Sequence, residues 1–177
     1  YSSLDPRICP AGSKERLWID SVATRIENKI EAIHKAGLEA YYFTDIIVLP
    51  KRLVEIYKNE ICDATGRIDF TRPKTQEIHR IMLQEIFKRF PKLDGLVIRV
   101  GETYLQNTPY HTGNGPIPRN EKSWEHNSAY KTDGGEKIHS NLINLLREEV
   151  CIRQNKKSSI AHGISVTSIS IPNITFP

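Results

Sequence analysis

Apolar residues recur every three or four positions in several stretches of the chain, which is the spacing of one face of an α-helix. The first stretch runs from Ser13 to Ala36, where Ser13 can cap the helix start and Gly37 can adopt the left-handed turn after its end. Its apolar positions are Trp18, Val22, Ile26, Ile30 and Ile33. This pattern predicts a long amphipathic helix with Trp18 in the core.

The same spacing predicts further helices. They cover Pro50 to Ile61, Thr71 to Phe90 and about Glu136 to Ile152. Pro50 and Pro73 suit a first helical turn, where the missing N–H is not needed. Two helical histidines, His34 and His79, have polar sequence neighbours, and we expect both on solvated surface.

Two short apolar segments predict buried strands. Leu38 to Thr44 is aromatic, and Gly95 to Glu102 is a nearly continuous apolar run. The length and residue types of the first run are typical of a buried strand, and the second run is typical of a parallel strand that is covered on both faces. Beyond Lys157 the chain carries no charged residue, and there we expect either one strand near Val166 to Ile171 or no ordered element.

The alternation of helices and strands predicts an α/β fold in which helices connect parallel strands. Two parallel strands cannot bury both faces and edges, so we expect them to belong to a larger sheet or barrel. A complete eight-stranded barrel needs about 250 residues, and this chain has 177. We therefore predict a partial (β/α) barrel with parallel strands and flanking helices over residues 1–157, followed by an uncharged tail over residues 158–177.

Composition and charge exclude several classes of protein. The chain is 38% hydrophobic and 26% charged, as expected for a soluble globular protein. Its net charge of +4 is spread over interleaved acids and bases, which argues against a nucleic-acid partner. The tail is too polar and too broken to span a membrane. The three cysteines, Cys9, Cys62 and Cys151, show no metal-ligand spacing, and one disulfide with a free thiol stays open for a secreted protein.

An acidic residue stands at the end of each predicted strand. Asp45 directly follows the first strand and Glu102 is the last residue of the second, and the carboxyl ends of parallel strands meet at one edge of a sheet. Paired carboxylates beside a loop rich in aromatic residues are what glycoside hydrolysis needs. That loop runs from Thr103 to Gly134 and contains Tyr104, Tyr110, His111 and Asn114. The candidate site residues also have structural alternatives. Asp45 can simply end a strand, and Arg99, which lies within the second strand, can pair with a neighbouring acid.

Three segments carry a resemblance to a known family. GLEAYYFTDIIVLP, EIHRIMLQEIFKRFPKLDG and LVIRVGETYLQNTPYHTGNGPI are similar in order and spacing to the central section of the (β/α)8-barrel α-glucuronidases and related glycoside hydrolases. The resemblance covers about Trp18 to Ile152. It implies that Glu102 is the general acid and that the loop from Thr103 to Pro118 shapes the sugar pocket. Arg99, inward in a period-two strand, would then grip an acidic sugar through two hydrogen bonds.

We therefore expect a carbohydrate-active protein that cleaves glycosidic bonds without a metal or cofactor. The family's water-activating carboxylates come from later strands, so the chain is expected to be a fragment that a complementing barrel segment or a homo-oligomer completes. The alternative is a noncatalytic sugar-binding or interaction fragment. We expect no nucleic-acid or membrane partner. The compartment is left open, with an extracellular location favoured over a cytoplasmic one.

Overall fold

The computed structural model describes residues 1–45, 49–64, 68–69, 71–100, 140–141, 143–162 and 169–170. In chain order the elements are α1 (Lys14–Lys35), β1 (Tyr41–Asp45), α2 (Lys51–Ile61), α3 (Pro73–Arg89), β2 (Gly95–Val100), a π-helix (Arg147–Ile152), β3 (Lys157–His162) and β4 (Ile169–Ser170). The α/β class predicted from the hydrophobic pattern is confirmed.

The ends of α1 form as the sequence predicts. The Ser13 hydroxyl oxygen accepts a hydrogen bond from the Arg16 backbone N–H at 3.1 Å, which satisfies one of the unpaired donors at the helix start. Gly37, with φ of 73°, takes the left-handed conformation beyond the helix end. The expectation for Trp18 is wrong, because it is only half-buried and lies outside the described core cluster.

The three central strands form a parallel sheet. β1 pairs with β2 and β2 pairs with β3, both in parallel, and the short β4 joins the far edge of β3 in antiparallel orientation. The spatial order of the strands is therefore their order along the chain.

The third parallel strand was not predicted. β3 begins at Lys157 and continues through Ser158, across the boundary at which the sequence pattern changes. Its first residues, KSS, are polar, whereas the parallel strand that we recognised from sequence is a continuous apolar run. β4 lies within the segment near Val166 to Ile171 where a strand was expected. Helical residues 143–146 lead into the π-helix, which ends at Ile152 as predicted.

The described helices cover one face of the sheet. Leu96 and Ile98 are fully buried, and they belong to one core cluster with buried residues of α1, α2, α3 and the π-helix. On the other face, Tyr41 and Phe43 lie at the register positions of Gly95 and Val97 and are 40% and 53% exposed. The sheet and its described helices therefore make two layers, with the core between them.

Candidate functional site

The carboxyl ends of the three parallel strands lie along one edge of the sheet. β1 ends at Asp45, β2 at Val100 and β3 at His162, and all three run in the same direction. In α/β proteins the ligand usually binds at this edge, because the loops that leave it converge and the strand ends are rigid. We call these strand ends the carboxyl edge.

Two of the predicted site residues lie in register at the carboxyl edge. Asp45 in β1 is the Cα partner of Arg99 in β2, and Arg99 is the Cα partner of Ala161 in β3. Sequence reasoning assigned Asp45 and Arg99 to separate strands. The structure adds that these strands are neighbours and run in parallel, so the backbones of the two residues lie side by side near the carboxyl edge.

The other predicted site residues lie outside the described part of the chain. They are Glu102, Tyr104, Tyr110, His111 and Asn114. In the sequence, Glu102 follows the last residue of β2, Val100, by two positions. Its assignment as an acid at the carboxyl edge stays a prediction.

The opposite edge of the sheet, which we call the amino edge, holds an ion pair. The Lys157 ammonium lies 2.6 Å from Glu39 Oε1, and the Tyr41 hydroxyl donates to Glu39 Oε2 at 2.7 Å. The hydrogen bonds from Lys157 and Tyr41 lower the pKa of Glu39. Because this carboxylate is already held by two partners, its arrangement is typical of a stabilising contact.

Asp94 connects several elements at the amino edge. Its Oδ2 accepts a hydrogen bond from the Ala40 N–H at 2.7 Å and lies 2.7 Å from His34 Nε2. The hydrogen bond with His34 has the larger effect and the one from Ala40 the next, and both lower the pKa of Asp94. Its main-chain carbonyl also accepts from the Lys157 N–H. His34, which we expected on solvated surface, is thus half-buried and tied to the sheet.

A fully buried carboxylate lies between α3 and the π-helix. Glu149 accepts hydrogen bonds from Arg80 Nε at 2.7 Å and from Gln84 Nε2 at 2.9 Å. Arg153 Nε lies 3.4 Å from the same carboxylate. Burial of an ionised carboxylate requires such partners. The network connects the C-terminal part of the described chain to α3, and its contacts are those of a stabilising ion pair.

Two polar residues of α3 were missed as buried groups. His79 is fully buried, so its placement on solvated surface is wrong, and Thr75 one turn earlier is fully buried too. The signal was present in the sequence: Thr75, Ile78, His79, Leu83 and Phe87 form one stripe at helical spacing, and all are buried. Because Thr75 and His79 are polar, the hydrophobic pattern alone does not include them in the buried stripe.

A surface cavity of about 470 Å³ opens beside the start of α1. It is lined by Ser2, Pro6, Cys9, Ala11, Gly12, Arg16 and Asp20. Arg16 and Asp20 in its wall pair with each other at 3.2 Å. None of the sequence-predicted site residues lines it. All three cysteines of the chain are free thiols.

Searches for metal ligands and membrane spans in the described residues gave no candidate. No group of three or more His, Cys, Asp or Glu side chains in this part of the chain is placed to hold a metal ion. No described helix combines the length and apolar character needed to cross a membrane. No family model, curated protein or solved structure matches the chain.

Proposed function

We propose that the chain is part of a carbohydrate-active (β/α) barrel whose carboxyl edge hydrolyses a glycosidic bond. One observation carries the proposal: β1 and β2 are neighbours and run in parallel. On that pairing, the acids that end or follow these strands, Asp45 and Glu102, would approach the same edge of the sheet. Antiparallel pairing would have sent them to opposite ends.

The topology supports a barrel. In a (β/α) barrel the strands follow one another in chain order and the helices lie on one face, and the described sheet has both properties. The face that carries Tyr41 and Phe43 would become the barrel interior. β4 departs from the pattern by running antiparallel, so it would mark one end of the parallel part. Another barrel segment or a second copy of the chain would supply the remaining strands.

The proposed chemistry uses a pair of carboxyl groups. Glu102 donates its proton to the glycosidic oxygen as the bond to the anomeric carbon breaks. A second carboxylate, for which Asp45 is the candidate in this chain, either removes a proton from the attacking water or attacks the anomeric carbon itself. Arg99, in register with Asp45, would pair with the carboxylate of a uronic acid.

The experiment is a hydrolysis assay on the purified chain, alone and with any barrel segment that copurifies, against 4-nitrophenyl glycosides that include the glucuronide. Glu102→Gln is expected to lower kcat by about 100-fold or more, because a general acid contributes that much. Glu39→Gln is the matched control, since it makes the same change at the amino edge. Hydrolysis that survives in Glu102→Gln would overturn the assignment of the acid.

Sugar binding without hydrolysis would support the noncatalytic alternative. If calorimetry shows that the chain binds a sugar but no glycoside in the panel is cleaved, the noncatalytic sugar-binding alternative replaces the hydrolase. If neither binding nor cleavage is detected for any sugar, the carbohydrate proposal fails as a whole.

A further inference from the structure

α3 presents two polar residues to the protein core. Thr75 and His79 are separated by one helical turn and are fully buried, as are Ile78 and Leu83 on the same face. A hydroxyl and an imidazole that are removed from water need hydrogen-bond partners, because leaving either group unpaired is costly. Each of these two groups therefore needs a hydrogen-bond partner, either within the protein or in a bound molecule.

The backbone of α3 determines that Nδ1 of the His79 ring carries a hydrogen. His79 Nδ1 lies 2.6 Å from the Thr75 carbonyl oxygen. A carbonyl oxygen can only accept, so Nδ1 must carry the hydrogen, and in the neutral ring Nε2 is then an acceptor. The bond also fixes the orientation of the ring, as carbonyl contacts do for functional histidines elsewhere.

The Thr75 hydroxyl is in a different situation. Its Oγ1 is buried and has no hydrogen-bond partner among the described residues of the chain. Helical threonines often donate to the carbonyl four residues earlier, but Thr75 Oγ1 makes no such bond. A buried hydroxyl of this kind is a donor and acceptor available to a bound hydroxyl group or a water molecule.

Ideal helix and strand dimensions indicate where this hydroxyl lies relative to the carboxyl edge. Only residues 90–94 separate the end of α3 from the start of β2, and both elements contribute to one core cluster, as expected if α3 runs back along β2. His79 lies ten residues before the end of α3, a rise of about 15 Å. Val100 lies about 17 Å along β2 from Gly95. On this geometry His79 would be level with the end of β2, and Thr75 would lie one turn further.

We propose that Thr75 Oγ1 is the inner contact of a hydroxyl-binding site at the carboxyl edge. The bound group is a hydroxyl, supplied either by a water molecule or by a carbohydrate ligand, and Thr75 donates a hydrogen bond to its oxygen. His79 is a positioning residue that holds this turn of α3 through its bond to the Thr75 carbonyl. The carbohydrate version of this inference rests on the proposed function, whereas the water version does not.

The test replaces the hydroxyl by a methyl group of nearly the same shape. If Oγ1 is hydrogen-bonded to a bound hydroxyl, Thr75→Val lowers the thermal unfolding midpoint by about 2 to 4 °C. Thr24→Val is the control, because Thr24 is exposed on α1 and its hydroxyl donates to the Asp20 carbonyl. A Thr75→Val midpoint that is unchanged or raised, together with an unchanged Kd for every sugar that the wild-type chain binds, is the expected result for an orphan hydroxyl and would overturn the inference.

Two further measurements identify the occupant. Titration calorimetry with a sugar that the wild-type chain binds is expected to show a roughly 5- to 10-fold weaker Kd for Thr75→Val if a sugar hydroxyl occupies the site. An unchanged Kd together with a lowered midpoint assigns the site to water. If no sugar binds at all, the proposed function fails, and the midpoint alone still decides the inference.

The wild-type protein provides a check that does not depend on folding of the variant. A long-lived hydroxyl partner predicts a nuclear Overhauser effect from the Thr75 methyl group to bound water or to a sugar proton. Nitrogen-15 shifts of His79 should show the hydrogen on Nδ1. Absence of any such effect from Thr75 would overturn the inference even if Thr75→Val were too unstable to study.

Discussion

His34 Nε2 lies 2.7 Å from Asp94 Oδ2, and this contact joins the last turn of α1 to the residue that precedes β2. The same carboxylate oxygen accepts the Ala40 N–H, which fixes the approach to β1. One side chain at the amino edge therefore sets the positions of two strands whose opposite ends form the carboxyl edge.

Replacement of Asp94 should destabilise the fold measurably. Asp94→Asn removes the charge that strengthens the bonds from His34 and Ala40, and we expect the free energy of unfolding to fall by about 1 to 2 kcal/mol. Asp20→Asn is the matched control. Asp20 pairs with Arg16 at an exposed site, so its loss should cost no more than about 0.5 kcal/mol. Equal losses in urea denaturation would show that Asp94 does not connect these elements.

The acid sensitivity of the fold should depend on Asp5. The side-chain hydrogen bond from Arg7 and its backbone N–H lower the pKa of Asp5 to about 2. An unfolded aspartate titrates near 3.9, so this contribution to stability is present above about pH 4 and is lost as the pH falls toward 2. Asp5→Asn and Arg7→Gln should both flatten the stability curve in this range. A wild-type slope in either variant would contradict the pairing.

The effect of burial on a carboxylate can be tested by comparing Glu149 with its neighbour Glu148. Glu149→Gln places a second donor group against Arg80 and Gln84 and removes the charge, with an expected loss of about 2 to 3 kcal/mol in the free energy of unfolding. Glu148→Gln changes the neighbouring residue in the same π-helix, where the side chain is partly exposed to solvent. Its expected cost is below about 1 kcal/mol. Similar losses in the two variants would rule out a special role for burial.

Gly95 is required by close packing of the strands. A Cβ at this position would lie 2.3 Å from the Lys157 carbonyl oxygen and 2.7 Å from the Tyr41 ring. Because the first of these atoms is backbone, relief requires a shift of β3, and Gly95→Ala should cost about 2 to 3 kcal/mol. Gly37→Ala has open space and pays only for its left-handed backbone, about 1 kcal/mol. A smaller loss at Gly95 than at Gly37 in the same denaturation assay would contradict this packing.

Local signals in the sequence were sufficient for several elements. Ser13, Gly37 and the apolar stripe between them predict α1 to within a residue at each end. β2 was recognised because Leu96 and Ile98 lie in a nearly continuous apolar run. These features depend on neighbours within one or two turns, which is the range that hydrophobic periodicity and capping describe.

Other features depend on contacts between distant residues. β3 begins with Lys157 and two serines, and its place in the sheet comes from pairing with β2. The sequence around His34 predicts a surface residue, because its partner, Asp94, lies far along the chain. For the candidate site, sequence identified Asp45 and Arg99, but their common register required the parallel pairing to be known.

A distance measurement can test the carboxyl edge without knowledge of the substrate. Spin labels attached to introduced cysteines require a background in which the half-exposed Cys9 is replaced by serine. The other two thiols, Cys62 and Cys151, are buried and should not react with the label.

The most direct test compares two label pairs by double electron–electron resonance. One pair joins Asp45→Cys to Glu102→Cys, and the other joins Glu39→Cys to Glu102→Cys. Glu39 lies about 20 Å from Asp45 along the extended chain, at the opposite edge of the sheet. A shared edge for the two acids predicts that the Asp45–Glu102 distance is clearly the shorter. If the Glu39–Glu102 distance is instead the shorter, the two acids do not meet, and the proposed site is contradicted.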